Sequence, residues 1–137
     1  MKELLEDQEP LEIRALVVED TRTLALQAEA LLRSINSFLT IDVTIVETLT
    51  EAFAIVEDFD VIVLDLNLPD SEGFDTLRSM RKRTRKPIIL HTTEELDTRT
   101  RLALAVQGIR AHHKGDPGLP ETMIDFIGST VPRVRVK

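Results

Sequence analysis

The chain contains no cysteine, tryptophan or tyrosine, and its aromatic content is five phenylalanines in 137 residues. Without cysteine, disulfides, thiolate metal sites and cysteine nucleophiles are excluded together. No apolar run approaches the roughly 20 residues that span a bilayer. The start, MKELLEDQEPLEIRALVVED, also lacks the basic segment and apolar stretch of a secretory signal. The cytoplasm is therefore the expected compartment, with no membrane association. Positive charge is in deficit as well: 17 Lys and Arg against 24 Asp and Glu give a net −7. That balance disfavours direct nucleic-acid binding and anionic membrane surfaces, because both need a positive field.

What is present is the balance of a single folded domain, with 42% hydrophobic residues and no repeat or low-complexity segment. Residues 1–12 are acidic and include Pro10-Leu11-Glu12, and they are expected to be a flexible lead-in. The domain proper is expected over 13–130, with 131–137, VPRVRVK, as a short basic tail or the stub of a linker. Two β-branched runs, Ile13–Val18 and Val61–Leu64, end abruptly in carboxylates: Glu19 and Asp20 after the first, Asp65 after the second. A third, Pro87–His91, ends in Thr92 and Thr93. Ile41–Val46 and Ala111–Lys114 are weaker strands.

Helical patterns lie between them. Leu24, Ala28, Leu31, Leu32 and Ile35 fall on one face of a helix over Thr21–Ser34. Thr48-Leu49-Thr50-Glu51 has capping-box spacing and opens a second, with Leu49, Ala52, Phe53 and Val56 as its buried stripe. Phe74, Leu77 and Met80 mark a third. Leu96–Gln107 predicts a fourth, with Gly108 placed for a left-handed C-cap. Pro120–Ser129 predicts a fifth, with Met123, Ile124, Phe126 and Ile127 facing inward. Five βα units predict an α/β fold: a flavodoxin-like doubly wound (βα)5 open parallel sheet of strand order 2-1-3-4-5.

In such sheets ligands bind beyond the carboxyl ends of the strands, and the chemistry-bearing residues of this chain cluster there. Glu19, Asp20 and Asp65 end neighbouring strands, and three converging carboxylates repel unless a cation joins them. Mg²⁺ suits such a donor set, since it takes hard oxygen ligands and shares phosphate oxygens. Thr92 and Lys114, at the ends of the fourth and fifth strands, flank the acids with a hydroxyl donor and a point charge suited to phosphate. Asp65 is then placed as a nucleophile toward phosphorus.

VIVLDLNLPDSEGFDTL resembles the phosphoacceptor segment of response-regulator receiver domains of bacterial two-component systems. ALVVED resembles their acidic pair, PIILHTTE their switch-hydroxyl segment and HHKGD their lysine segment. The four motifs occur in order from Ile13 to Thr130. The resemblance implies Asp65 as the phosphoacceptor, with a histidine kinase or histidine phosphotransfer protein as phosphodonor. It implies Mg²⁺ held by Asp20, Asp65 and the backbone carbonyl of Asn67, with Glu19 contributing through water. Thr92 and Lys114 bind phosphoryl oxygens, the Thr93 N–H assists, and the side chains of Asn67 and Glu94 tune the lifetime of the phosphorylated state. Such a domain is a regulatory switch that catalyses only its own phosphorylation and dephosphorylation. Output is expected through a downstream protein partner or as a station in a phosphorelay.

The chain departs from the family pattern where the signal would leave. An aromatic residue usually stands on strand five where Ala111 does, partnering the switch hydroxyl of Thr92. Proline usually follows the lysine where Gly115 does, and the Gly108–Lys114 stretch is one residue short. These changes leave the phosphorylation chemistry intact and make the face formed by helix 4, strand 5 and helix 5 atypical. That face is also where a homodimer would form.

Other features have plain structural readings. His91, His112 and His113 read as hydrogen-bonded strand residues rather than a metal or pH-sensing cluster. The basic run of Arg78, Arg81, Lys82, Arg83, Arg85 and Lys86 reads as a solvated helix end suited to the dipole. Asp70 and Ser71 read as caps of the third helix. Three other functions compete with the switch. One is an unphosphorylated receiver-like interaction module. Another is a haloacid-dehalogenase-type phosphatase, which needs its nucleophile on the first strand and a second aspartate two residues on, where this chain has Asn67. The last is a flavin-binding flavodoxin, which needs a phosphate loop after the first strand and aromatics that are scarce here.

Overall fold

A computed structural model describes residues 11–34, 39–130 and 135–136. Residues 1–10, 35–38, 131–134 and 137 lie outside the described residues, among them Ile35 of the expected first-helix face. Strands β1 (Leu11–Val18), β2 (Leu39–Val46), β3 (Val61–Leu64), β4 (Ile88–Thr92) and β5 (Ile109–His113) alternate with five helices. These are α1 (Arg22–Arg33), α2 (Leu49–Ile55), α3 (Phe74–Arg83), α4 (Thr98–Ala105) and α5 (Leu119–Thr130). The five strands are parallel in the order β2-β1-β3-β4-β5, the expected doubly wound arrangement. A short strand β6 (Arg135–Val136) runs antiparallel to β1 at Leu11 and Glu12. β3 begins to pair with β1 only at Ala15, so β1 has a free edge there for β6.

Both faces of the sheet are covered, which is why its strands read as continuous apolar runs. Side chains alternate along each strand. Leu16, Val18, Ile62, Leu64, Ile88 and Leu90 point to a core closed by α2, α3 and α4 through Leu49, Ala52, Leu77, Met80 and Leu104. Ile13, Ala15, Val17, Val61, Val63 and Ile89 point to a second core closed by α1 and α5 through Ala28, Leu32, Met123, Phe126 and Ile127. Fully burying one such side chain is worth about 1.5–3 kcal/mol.

Several boundaries differ from the sequence pattern. β1 and β2 each begin two residues earlier. β5 spans Ile109–His113 rather than Ala111–Lys114, so Lys114 stands just past the strand, its N–H still donating to the Thr92 carbonyl at 2.8 Å. α4 starts at Thr98 because the Asp97 carboxylate accepts the Thr100 N–H at 2.8 Å and caps the helix there. Gly108 takes the left-handed φ of +74° expected of it. Ile124, expected to face inward, is 44% exposed on the outer side of α5.

Candidate functional site

Strand register brings the acidic residues together. Val18 of β1 is aligned with Leu64 of β3, and Leu64 with Leu90 of β4, so Glu19, Asp65 and His91 follow at the same level. The Asp65 N–H donates to the Val18 carbonyl at 3.0 Å, and the Glu19 N–H to the Val46 carbonyl at 3.0 Å, which fixes both backbones. Ligand oxygens of Glu19, Asp20 and Asp65 lie within 4.8 Å of one another, with Glu19 and Asp65 buried and Asp20 exposed. Lys114 Nζ enters this group, 2.7 Å from Glu19 Oε1 and 3.1 Å from Asp65 Oδ1. The sequence-based expectation that these four side chains share one edge is met.

Charge is unbalanced at this point. Burial pushes the Glu19 carboxyl above its usual range, and the nearby Asp65 charge adds to this while Lys114 opposes it. Burial disfavours the Lys114 ammonium, but Glu19 and Asp65 outweigh it and hold its pKa above the ordinary lysine value. Glu19 Oε2 accepts the Thr21 N–H at 3.2 Å. The buried Oε1 has the Lys114 ion pair but no hydrogen bond of good geometry. Three carboxylates facing one ammonium leave a deficit of positive charge that a divalent, oxygen-seeking cation matches. By this test the residues fit Mg²⁺.

The remaining site residues sit around this cluster. Thr92 is buried at the end of β4, and its Oγ1 accepts the Glu94 N–H at 3.0 Å. Thr93 and Glu94 are exposed in the loop that follows. Asn67 is exposed beside Asp65: its N–H approaches Asp65 Oδ1 at 3.4 Å, and its own Oδ1 accepts the Gly73 N–H at 3.1 Å. Ala111 is half-buried on β5, level with Leu90. It lines a groove of about 590 Å³ between α4, β5 and α5, together with Leu102, Ala105, Arg110 and Phe126. Gly115 takes φ +89°, which the fixed φ of proline forbids, so the departure after Lys114 has a backbone consequence.

The histidines are mainly structural, as expected. His112 Nδ1 lies 3.0 Å from Thr122 Oγ1 and its Nε2 3.0 Å from the Asp116 carbonyl, and His113 Nε2 lies 3.1 Å from the Thr93 carbonyl. His91 is buried behind Lys114. Desolvation, reinforced by the Lys114 and His112 charges, pushes its pKa down to about 4.

Two structural readings are corrected. Asp70 does not cap α3; its carboxylate accepts the N–H groups of Leu49 and Thr50 at 2.9 and 3.0 Å and so caps α2, while Gly73 holds the N-cap position of α3. Ser71 instead bridges to Leu68 and lies 2.7 Å from the Thr76 hydroxyl. The basic run is not simply a solvated helix end. The Arg81 guanidinium donates to the carbonyls of Thr84, Lys86 and Gln107, tying the end of α3 to the turn before β5. Burial and the neighbouring Arg85 lower its pKa. The Asp70–Leu49 and Arg81–Gln107 bonds join residues 21 and 26 apart in the chain, a separation at which local spacing carries no signal.

The response regulator receiver domain family matches residues 15–112, and the chain belongs to that family. Sensory transduction protein LytR of Staphylococcus saprophyticus is 33% identical over 81 residues, covering 59% of this chain and 32% of that protein. The cell cycle transcriptional regulator CtrA of Caulobacter vibrioides is 36% identical over 91 residues, covering 65% and 38%. The chain thus spans about a third of the length of these curated relatives. A two-component response regulator from Clostridium difficile matches with a TM-score of 0.69 at 16% identity, over 88% of this chain and 99% of that one. Chemotaxis response regulator CheY4 of Vibrio cholerae matches with a TM-score of 0.65 at 21% identity, over 83% and 97%. At these identities the likeness is one of fold. Receiver domains are regulatory and bind Mg²⁺ through an acidic pocket; in this chain the acidic cluster lies at the carboxyl edge of the sheet.

Proposed function

We propose that Asp65 accepts a phosphoryl group from a histidine kinase or histidine phosphotransfer protein, and that the domain signals through a protein partner or a phosphorelay. The observation that carries this reading is the Lys114 ammonium, 2.7 Å from Glu19 and 3.1 Å from Asp65 at the edge where three carboxylates meet. A purely structural acidic turn has no need of a buried lysine reaching across from the far side of β4.

Asp20, Asp65 and the Asn67 carbonyl would hold Mg²⁺, with Glu19 contributing through water; the ion supplies charge neutralisation for the transferring phosphoryl oxygens. An Asp65 carboxylate oxygen forms a bond to phosphorus as the donor's N–P bond breaks and its imidazole leaves. Lys114 takes up one phosphoryl oxygen as a point charge. The Thr92 hydroxyl, which now only accepts from Glu94, is free to donate to another, assisted by the Thr93 N–H. Asn67 and Glu94, both exposed beside the site, control the access of hydrolytic water. The acidic balance supports a protein rather than nucleic acid as the direct target, and the α4–β5–α5 face as the place for such a partner or a second copy. No described helix is long and apolar enough to cross a membrane, in keeping with action in the cytoplasm.

The test is incubation with Mg²⁺ and a small phosphodonor such as acetyl phosphate, followed by intact mass. A gain of one phosphoryl group, absent in Asp65→Asn, is the expected result. No gain under conditions that label another receiver domain would favour the interaction module. Sustained turnover of phosphate monoesters dependent on Asp65 would favour the phosphatase.

A further inference from the structure

We infer that Asp70 is a positioning residue for phosphorylation: it ties the loop that carries Asn67 to the N-terminus of α2 and so holds the Asn67 carbonyl at the metal position. This rests on the phosphoacceptor reading of Asp65. The segment between β3 and α3 bears both the proposed nucleophile and the proposed backbone ligand, and it needs outside support to keep them in register.

That support comes from two sides of Asn67. Before it, the buried Thr76 hydroxyl donates to the Leu66 carbonyl at 2.7 Å. After it, Leu68 and Ser71 exchange backbone hydrogen bonds of 2.7 and 3.2 Å that close a tight turn. Asp70 projects from this turn onto α2. Its Oδ1 accepts the Leu49 N–H at 2.9 Å, and its Oδ2 accepts the Thr50 N–H at 3.0 Å and the Thr50 hydroxyl at 2.8 Å. These donors hold the Asp70 carboxyl below its usual pKa, the Leu49 N–H contributing most, so the tether is charged throughout the neutral range.

α2 already has a cap of its own in Thr48, whose Oγ1 accepts the Glu51 N–H at 3.1 Å. The two capping groups divide the free N–H groups of the first turn between them, but only Asp70 belongs to the phosphoacceptor loop. This gives a matched control. Thr48→Ala and Asp70→Ala each remove a cap from the same helix, and only the second releases the loop.

Outer groups that orient metal ligands typically change metal affinity by about tenfold or more when removed. Asp70→Ala is therefore expected to raise the Mg²⁺ concentration for half-maximal labelling by acetyl phosphate about tenfold, with the rate restored at saturating Mg²⁺. In Mg²⁺-free protein the same variant is expected to speed hydrogen exchange at the Leu68 amide. Thr48→Ala should lower Tm comparably yet leave both readouts within about twofold of wild type. Asp70→Asn, which keeps one acceptor oxygen, should recover much of the Mg²⁺ response. A labelled wild type with Asp70→Ala indistinguishable from Thr48→Ala in both readouts overturns this inference alone. A wild-type protein that takes no label overturns the phosphoacceptor reading and this inference with it.

Discussion

The acidic end of the sheet and the α4–β5–α5 face are built from adjoining strands yet differ in how completely they are furnished. At the acidic end, polar side chains converge and several are held in place: Lys114 pairs with Glu19 and Asp65, the Glu94 N–H donates to Thr92 and the Gly73 N–H to Asn67. On the other face, Ala111 lines a groove of about 590 Å³, Leu102 is 63% exposed and Val106 86% exposed. The side chains that the proposed phosphoryl acceptance calls on are gathered at one end, while the α4–β5–α5 surface proposed to report it is open to contacts from outside.

The largest effect on the acidic end is expected at Lys114. Lys114→Ala should slow labelling by acetyl phosphate by about 10²-fold, because one fixed charge on the transferring oxygens is lost. It should not weaken Mg²⁺ binding, since it removes a cation from among the carboxylates. Equal loss of both would mean that Lys114 acts by holding the site together.

A comparably large effect is expected from His91, which lies behind the site. Its folded pKa of about 4 is below the ordinary value of 6.5, so between those limits the unfolded chain binds the extra proton and stability rises with pH. The contribution, up to about 3 kcal/mol, is complete above pH 6.5 and is lost as pH falls toward 4. Chemical denaturation at a series of pH values should show this slope, and His91→Gln should flatten it.

How much of this was legible in the sequence follows the same division. The fold and the acidic cluster were readable because buried parallel strands are written as β-branched runs and each ends in the residue that matters: Val18 before Glu19, Leu64 before Asp65, Leu90 two before Thr92. Where competing caps decide, reading by pattern fell short. The apolar pattern starting at Leu96 masks the cap at Asp97, and Ile109, following directly on the Gly108 turn, carries no pattern that marks it as the start of β5. Sequence proximity points Asp70 to α3, whereas the chain brings it to Leu49 of α2, 21 residues back. Side chains that clamp distant segments leave no periodic trace.

Among the proposed metal-holding groups, Asp20→Ala removes a direct donor and is expected to raise the half-saturating Mg²⁺ concentration further than the roughly tenfold of Asp70→Ala. Effects should be smallest on the open face. Ala111→Phe, which adds a ring toward the groove, should leave the labelling rate within about twofold, because Ala111 contributes no polar group to the acidic end. A larger change would show that the two regions are coupled in the resting protein. Val106→Ser should shift stability by no more than about 0.5 kcal/mol in urea unfolding, as expected for a surface substitution.

The central claim is a covalent bond at one atom, and the most direct measurement locates it. After treatment with Mg²⁺ and acetyl phosphate, reduction with borohydride converts an acyl phosphate on aspartate to homoserine, which peptide mass spectrometry places in the sequence. Homoserine at position 65, dependent on both Mg²⁺ and phosphodonor, is the predicted result. Homoserine at Asp20 or elsewhere, or none in protein that has bound Mg²⁺, would contradict it.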